Sequence, residues 1–134
     1  MRLVLDTNTV ISALLFTHGQ LSWLREHWRS KNVVTLVSKP TVDELIRVLT
    51  YPKFDLDKVE IEALLADYLP FTEAIAVSSQ PQSPLCRNLD DQMFVDLAIE
   101  GRADVLITGD RALLAMNFGV VIENAAHFRR RLEQ

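Results

Sequence analysis

Asp6, Glu44, Asp91 and Asp110 are the residues of this 134-residue chain whose types and surroundings could do chemistry together. Asp6 ends the apolar run Leu3-Val4-Leu5. A charge at the tip of a buried strand is costly unless something pairs with it, and no lysine or arginine follows before Arg25. Carboxylates that converge without basic partners repel one another. A divalent cation such as Mg2+ or Mn2+ removes that repulsion, and hard cations take oxygen ligands of this kind. Each acid alone has a second reading. Asp6, Asp90 and Asp110 are of the type that caps helices, and Glu44 suits a solvated helix face.

Other chemistries fit poorly. Gly19, Gly101, Gly109 and Gly119 are the only glycines, and they make no dinucleotide fingerprint or phosphate loop. No serine sits in a nucleophile elbow. His18, His27 and His127 are scattered and lack the cysteines that would complete a zinc site. Cys86 is the single cysteine; it excludes an intramolecular disulfide, reads as an ordinary thiol and suits a reducing cytosol. With 14 basic and 18 acidic residues the net charge is −4, so any contact with nucleic acid needs a local patch or a metal. The opening Met1-Arg2-Leu3-Val4-Leu5-Asp6 is not the start of a signal peptide, because Asp6 interrupts the apolar run, and no apolar stretch reaches a membrane span. A cytoplasmic protein without membrane contact is expected.

The elements that must position these acids follow from periodicity. Apolar runs at 3–5, 33–37, 74–77, 104–107 and 120–122 read as five strands. Between them lie amphipathic helices at 7–15, 20–30, 39–50, 57–69, 90–101, 110–116 and 125–132. Thr17-His18-Gly19 breaks the first pair, Pro40 opens the third helix, and 78–88 reads as a loop. Strands that alternate with helices and are apolar on both faces predict a three-layer α/β/α fold around a central parallel sheet of about five strands. In such sheets, sites form at the carboxyl ends of the strands, where this reading puts all four acids together with Asn8 and Thr108.

Leu5-Asp6-Thr7-Asn8 resembles the opening of a PIN domain, the metal-dependent nuclease fold of Rossmann-like topology. Three further stretches match in order. Val42-Asp43-Glu44-Leu45 resembles the helix-borne glutamate of the family. Asp91 to Ala98 resembles its Asp-x-x-apolar-x-x-x-Ala helix. Leu106-Ile107-Thr108-Gly109-Asp110 resembles its apolar-Thr-x-Asp turn, continued by Arg111-Ala112-Leu113-Leu114 as in bacterial PIN toxins of toxin–antitoxin pairs. The spacing to Phe94 and Ala98 selects Asp91 over Asp90, which then reads as a cap, and Asp43 and Asp96 read as surface residues.

The resemblance implies one PIN-like nuclease domain over 1–134, acting as an endoribonuclease on single-stranded RNA. Asp6, Glu44, Asp91 and Asp110 would be the catalytic residues and hold one or two Mg2+ or Mn2+ ions. Asn8 and Thr108 would orient ligands or substrate, and Lys39 and Arg111 could contact phosphates. An antitoxin protein and a homodimer are the implied partners, with Trp23 as an exposed aromatic for either contact and Trp28 in the core. The alternative is a catalytically weak PIN-like fold that binds RNA or protein. A dehalogenase-like phosphatase is disfavoured, because Asn8 stands where its second aspartate belongs, and a receiver domain because Ser78 and Ser79 follow the third strand.

Overall fold

Side-chain alternation along the first strand already separates two cores. In the computed structural model, which describes residues 1–16, 21–78, 84–86 and 88–133, Leu3 and Leu5 of β1 (Arg2–Leu5) pack into one apolar cluster and Val4 into another. β4 (Val105–Ile107) repeats the pattern, with Val105 and Ile107 on the first side and Leu106 on the second. Period-two alternation of wholly apolar strands requires a cover on each face.

The first face is covered by α1 (Thr7–Leu15), α2 (Ser22–Arg29), α3 (Lys39–Leu49) and α7 (Ala125–Leu132), which bring Val10, Trp28, Leu45 and Phe128 into that cluster. The second is covered by α5 (Gln92–Glu100) and the short α6 (Arg111–Leu114), through Phe94, Val95 and Leu113. With β2 (Val34–Val37), β3 (Thr72–Ala74) and β5 (Val121–Glu123), the strands form a five-stranded parallel sheet in the order β3-β2-β1-β4-β5. The chain winds outward through β2 and β3, then crosses to β4 and β5. The reversal point, where a crevice opens in such sheets, therefore lies between β1 and β4.

Local chemistry sets most helix starts. Ser38 and Thr41 form a reciprocal capping box on α3, and Asp57 and Glu60 do the same on α4 (Lys58–Ala66). Asn124 accepts from the backbone N–H of His127 at the start of α7. On α2, the Trp28 indole donates to the carbonyl of Asp67, whose carboxylate pairs with Arg25 and Arg29.

Two expected boundaries shift. The helix read over 57–69 ends at Ala66, whose carbonyl Pro70 has no N–H to meet; Leu69–Phe71 is a 3-10 turn instead. The third strand lies at Thr72–Ala74 rather than 74–77. Its partner sets this: Val37 pairs with Ala74, and Ser38 then turns away to cap α3. One more backbone bond, Ile75 N–H to Val37 O at 2.8 Å, ends the ladder. The break expected at 17–19 lies outside the described residues, as do 79–83 of the loop. Among the described residues, no helix is long and apolar enough to cross a membrane.

Candidate active site

A cleft of about 460 Å³ opens beside the carboxyl ends of β1 and β4. Asp6, Thr7 and Asn8 form one wall, Glu44 and Val48 of α3 another, Asp90, Asp91 and Phe94 a third, and Gly109 and Asp110 close it. All four predicted acids line it, and among the described residues no lysine or arginine does.

Asp6 is buried, and both of its carboxylate oxygens are used. Oδ1 accepts from the Thr9 N–H at 2.9 Å, capping α1, and Oδ2 accepts from the Thr108 hydroxyl at 2.6 Å. The capping and site readings of Asp6 are thus compatible. Thr108 Oγ1 in turn accepts from the Asp110 N–H at 2.9 Å, so one buried hydroxyl ties the end of β1 to the turn after β4. Asp110 Oδ1 caps α6 through the N–H groups of Ala112 and Leu113, at 2.7 and 3.4 Å.

Asp91 behaves differently. It occupies the position before α5 but makes no side-chain cap. Its Oδ2 is buried and, among the described residues, has no hydrogen-bond partner. Burial, followed by a hydrogen bond to Asp110 and the charges of Asp110, Asp6 and Asp90, pushes the Asp91 carboxyl up to about 7. The same contact with Asp91 holds Asp110 below its usual range. Like charges this close resist joint ionisation, so Asp91 holds its proton more tightly while Asp110 gives its up more readily.

Asp90 is not the expected cap. Asn88 performs that task, its Oδ1 accepting from the Asp90 N–H at 3.0 Å at the head of the 3-10 turn Leu89–Asp91, and Asp90 stays exposed at the cleft. Glu44 also departs from expectation, since it has a basic partner. Arg47, three residues on, holds both its oxygens at 2.7 to 3.2 Å. The i, i+3 spacing of opposite charges was the available signal for this pair.

The remaining residues sort by position. Asn8 is exposed at the cleft. Lys39 pairs with Asp43 at 2.8 Å, and neither Lys39 nor Arg111 lines the cleft. Asp96, read as a surface residue, is half-buried and accepts from Gln92 at 3.0 Å. Cys86 is buried, and desolvation with the charges of Asp91, Asp96 and Asp110 pushes its thiol up, away from reactivity. Trp23 is half-buried rather than exposed: it stacks on Phe128 at 6.3 Å with Arg129 over its ring, while Trp28 is fully buried as expected. His18 and Arg87 lie outside the described residues.

The donor set is all oxygen, and the orphaned Asp91 Oδ2 beside Asp110 and Asp6 is what a divalent cation would satisfy. The set is not closed. Among the described residues, no three His, Cys, Asp or Glu side chains stand in metal-holding geometry, and Glu44 is turned to Arg47. Mg2+ commonly keeps several waters and takes few carboxylates, so an open set suits it.

Comparison with known proteins bears on the fold and the family. An uncharacterised protein of Methanocaldococcus jannaschii is 25% identical over 117 residues, 87% of this chain and 75% of the relative. VapBC2 of Rickettsia felis, solved bound to a DNA fragment from its promoter, superposes with a TM-score of 0.66 at 20% identity, over 92% of this chain and 98% of that one. The PIN domain of human SMG5 gives 0.54 at 17% identity, over 98% and 99%. These structural likenesses establish the fold. The sequence pattern of the PIN domain matches residues 2–112, from the first strand to the helix after the fourth, and the chain therefore belongs to the PIN domain family.

Proposed function

We propose that the chain is a metal-dependent endoribonuclease cutting single-stranded RNA, a single catalytic domain over 1–134, and the toxin of a toxin–antitoxin pair acting in the cytoplasm. The carrying observation is the cleft in which Asp6, Asp91 and Asp110 gather, with the buried Asp91 Oδ2 unpartnered among the described residues, at the point where the sheet order reverses. Asp6, Asp91 and Asp110 would hold one or two Mg2+ or Mn2+ ions, with Glu44 joining when it leaves Arg47. A bound divalent ion supplies a water of lowered pKa and offsets charge on the scissile phosphate.

The chain's own groups do the positioning. Thr108 fixes the rotamer of Asp6 and the backbone of Asp110 with one hydroxyl. Asp110, tied to the first turn of α6 through Oδ1, keeps its other oxygen for the cleft. Asn8, at the cleft, offers an amide to a substrate oxygen. Arg111 is exposed at the start of α6 and is available to a flanking phosphate, as is Lys39 once it leaves Asp43. An antitoxin partner is supported by the toxin-like run through Leu114 and by the likeness to VapBC2; a homodimer is proposed with it.

A second reading, a PIN-like module that binds RNA or protein without cutting, is favoured by the Glu44–Arg47 pair, which takes one acid out of the set. Incubation of the purified protein with labelled single-stranded RNA decides between them. Cleavage in Mg2+ or Mn2+ that stops with excess chelator is expected; undiminished cutting in chelator ends the metal mechanism, and no cutting in either metal favours the binding module.

A further inference from the structure

Among the described residues, acids are the only charged groups that line the cleft, yet the proposed substrate is a polyanion. Cations must meet the strand outside the cleft. On α3 the face that carries Glu44 continues through Arg47 and Val48, at i+3 and i+4, and Tyr51 follows just beyond the Thr50 C-cap. At a rise of 1.5 Å per residue this face extends roughly 6 Å beyond Glu44 to Val48.

Arg47 on this face and Lys53 in the turn beyond it are each set over an aromatic ring. The Arg47 guanidinium lies 5.5 Å from the Tyr51 ring centre, and Nη1 donates to the Tyr51 hydroxyl at 2.5 Å. The Lys53 ammonium lies 5.0 Å from the Phe54 ring centre, in the 3-10 turn Pro52–Phe54 that follows α3. The rings are half-buried against the first core, while the cations are exposed, Arg47 to 58%. Arg47 uses Nε, Nη2 and part of Nη1 on Glu44 and Tyr51, so a guanidinium hydrogen remains for another acceptor.

We infer that Arg47, Tyr51, Lys53 and Phe54 form a ledge that holds the single-stranded RNA on one side of the scissile phosphate, the cations on phosphates and the rings against bases. The inference rests on the proposed nuclease reading and assigns the side of the cleft from which the strand enters. Cations interleaved with aromatic rings suit a single strand, since every base has a face to stack and every linkage a charge to meet. A duplex would hide those faces. The anchoring of Arg47 by Tyr51, which does not depend on Glu44, holds the guanidinium in place before substrate arrives, which lowers the ordering cost of binding.

The test measures anisotropy of a short labelled single-stranded RNA, in Ca2+ to suppress cutting, across a salt series. Arg47→Ala/Lys53→Ala is expected to weaken binding at least ~10-fold and to lower the salt slope by about 1.4, at ~0.7 for each phosphate that no longer meets a cation. Lys53→Ala, which touches no acid of the cleft, is expected to weaken binding ~3-fold and lower the slope by ~0.7. Arg47→Lys should recover most of the slope, and Arg130→Ala, in the last turn of α7, should stay within ~2-fold of wild type. Wild-type binding at the same slope in both ledge variants overturns the ledge. If those variants also cut RNA in Mg2+ with unchanged KM, the ledge falls while the nuclease reading stands. If the wild type neither binds nor cuts RNA, both fall together.

Discussion

Replacing Asp91 by Asn should stabilise the metal-free protein at neutral pH, although it removes a residue of the proposed centre. In the folded state the Asp91 carboxyl is raised from 3.8 to about 7. Between those values the folded protein holds a proton that the unfolded chain has released. Stability is therefore complete below about pH 4 for this group and is lost as pH rises through 7. At about 1.36 kcal/mol per unit, a rise of roughly three units corresponds to about 4 kcal/mol before screening. Asp91 is partly solvated, and Asp110 shifts the opposite way, contributing stability that is lost as pH falls. Solvent screening and this opposing partner reduce the pair's net effect to roughly 1–2 kcal/mol. On a domain of this size that is about 4–8 °C in Tm.

Asn keeps the shape of the protonated acid and donates to Asp110 at every pH. Thermal melts in chelator from pH 4 to 8 should show wild-type Tm falling between pH 5 and 8, and a flatter profile for Asp91→Asn that lies above wild type at pH 8. Mg2+ at a hundred times its Kd should then add about 2.7 kcal/mol to wild type and less to the variant. A variant that melts below wild type at pH 8 without metal would refute this account of the pair.

Three further outcomes concern the acids, the hydroxyl that ties them and the turn after α5. Asp6→Asn should slow RNA cleavage in Mg2+ by at least ~10²-fold, measured under single-turnover conditions, whereas Asp90→Ala should change it little; in a growth assay Asp91→Ala, not Asp90→Ala, should relieve arrest. Thr108→Val leaves Asp6 Oδ2 and the Asp110 N–H without a partner, and urea melts should show a loss of about 1–3 kcal/mol that Thr108→Ser largely avoids. Gly101→Ala should cost a similar amount, about 1–3 kcal/mol, because the new Cβ would stand 2.7 Å from Leu36 Cδ1 and 2.9 Å from the Leu97 carbonyl oxygen; a neutral effect in the same melts would mean the turn after α5 has room to move.

The layers, and the edge at which the acids gather, are legible in the residues alone. Apolar alternation is a local property, and Leu3-Val4-Leu5 and Val105-Leu106-Ile107 have no polar side to leave uncovered. Asp6 and Asp110 were legible for a related reason: a carboxylate that starts a helix after a strand stands at the carboxyl edge of a parallel sheet by construction. The remainder depends on the folded neighbourhood. The third strand moved to Thr72–Ala74 because its place depends on where β2 stops pairing, not on its own apolar content. Only neighbour order brings Thr108 to Asp6, across 102 residues of chain. The distinction between Asp90 and Asp91 is one of environment: adjacent acids of identical type, one exposed and one with an oxygen sealed beside Asp110. Charge repulsion and desolvation depend on what the fold places within a few ångströms, and residue spacing along a chain carries no record of that.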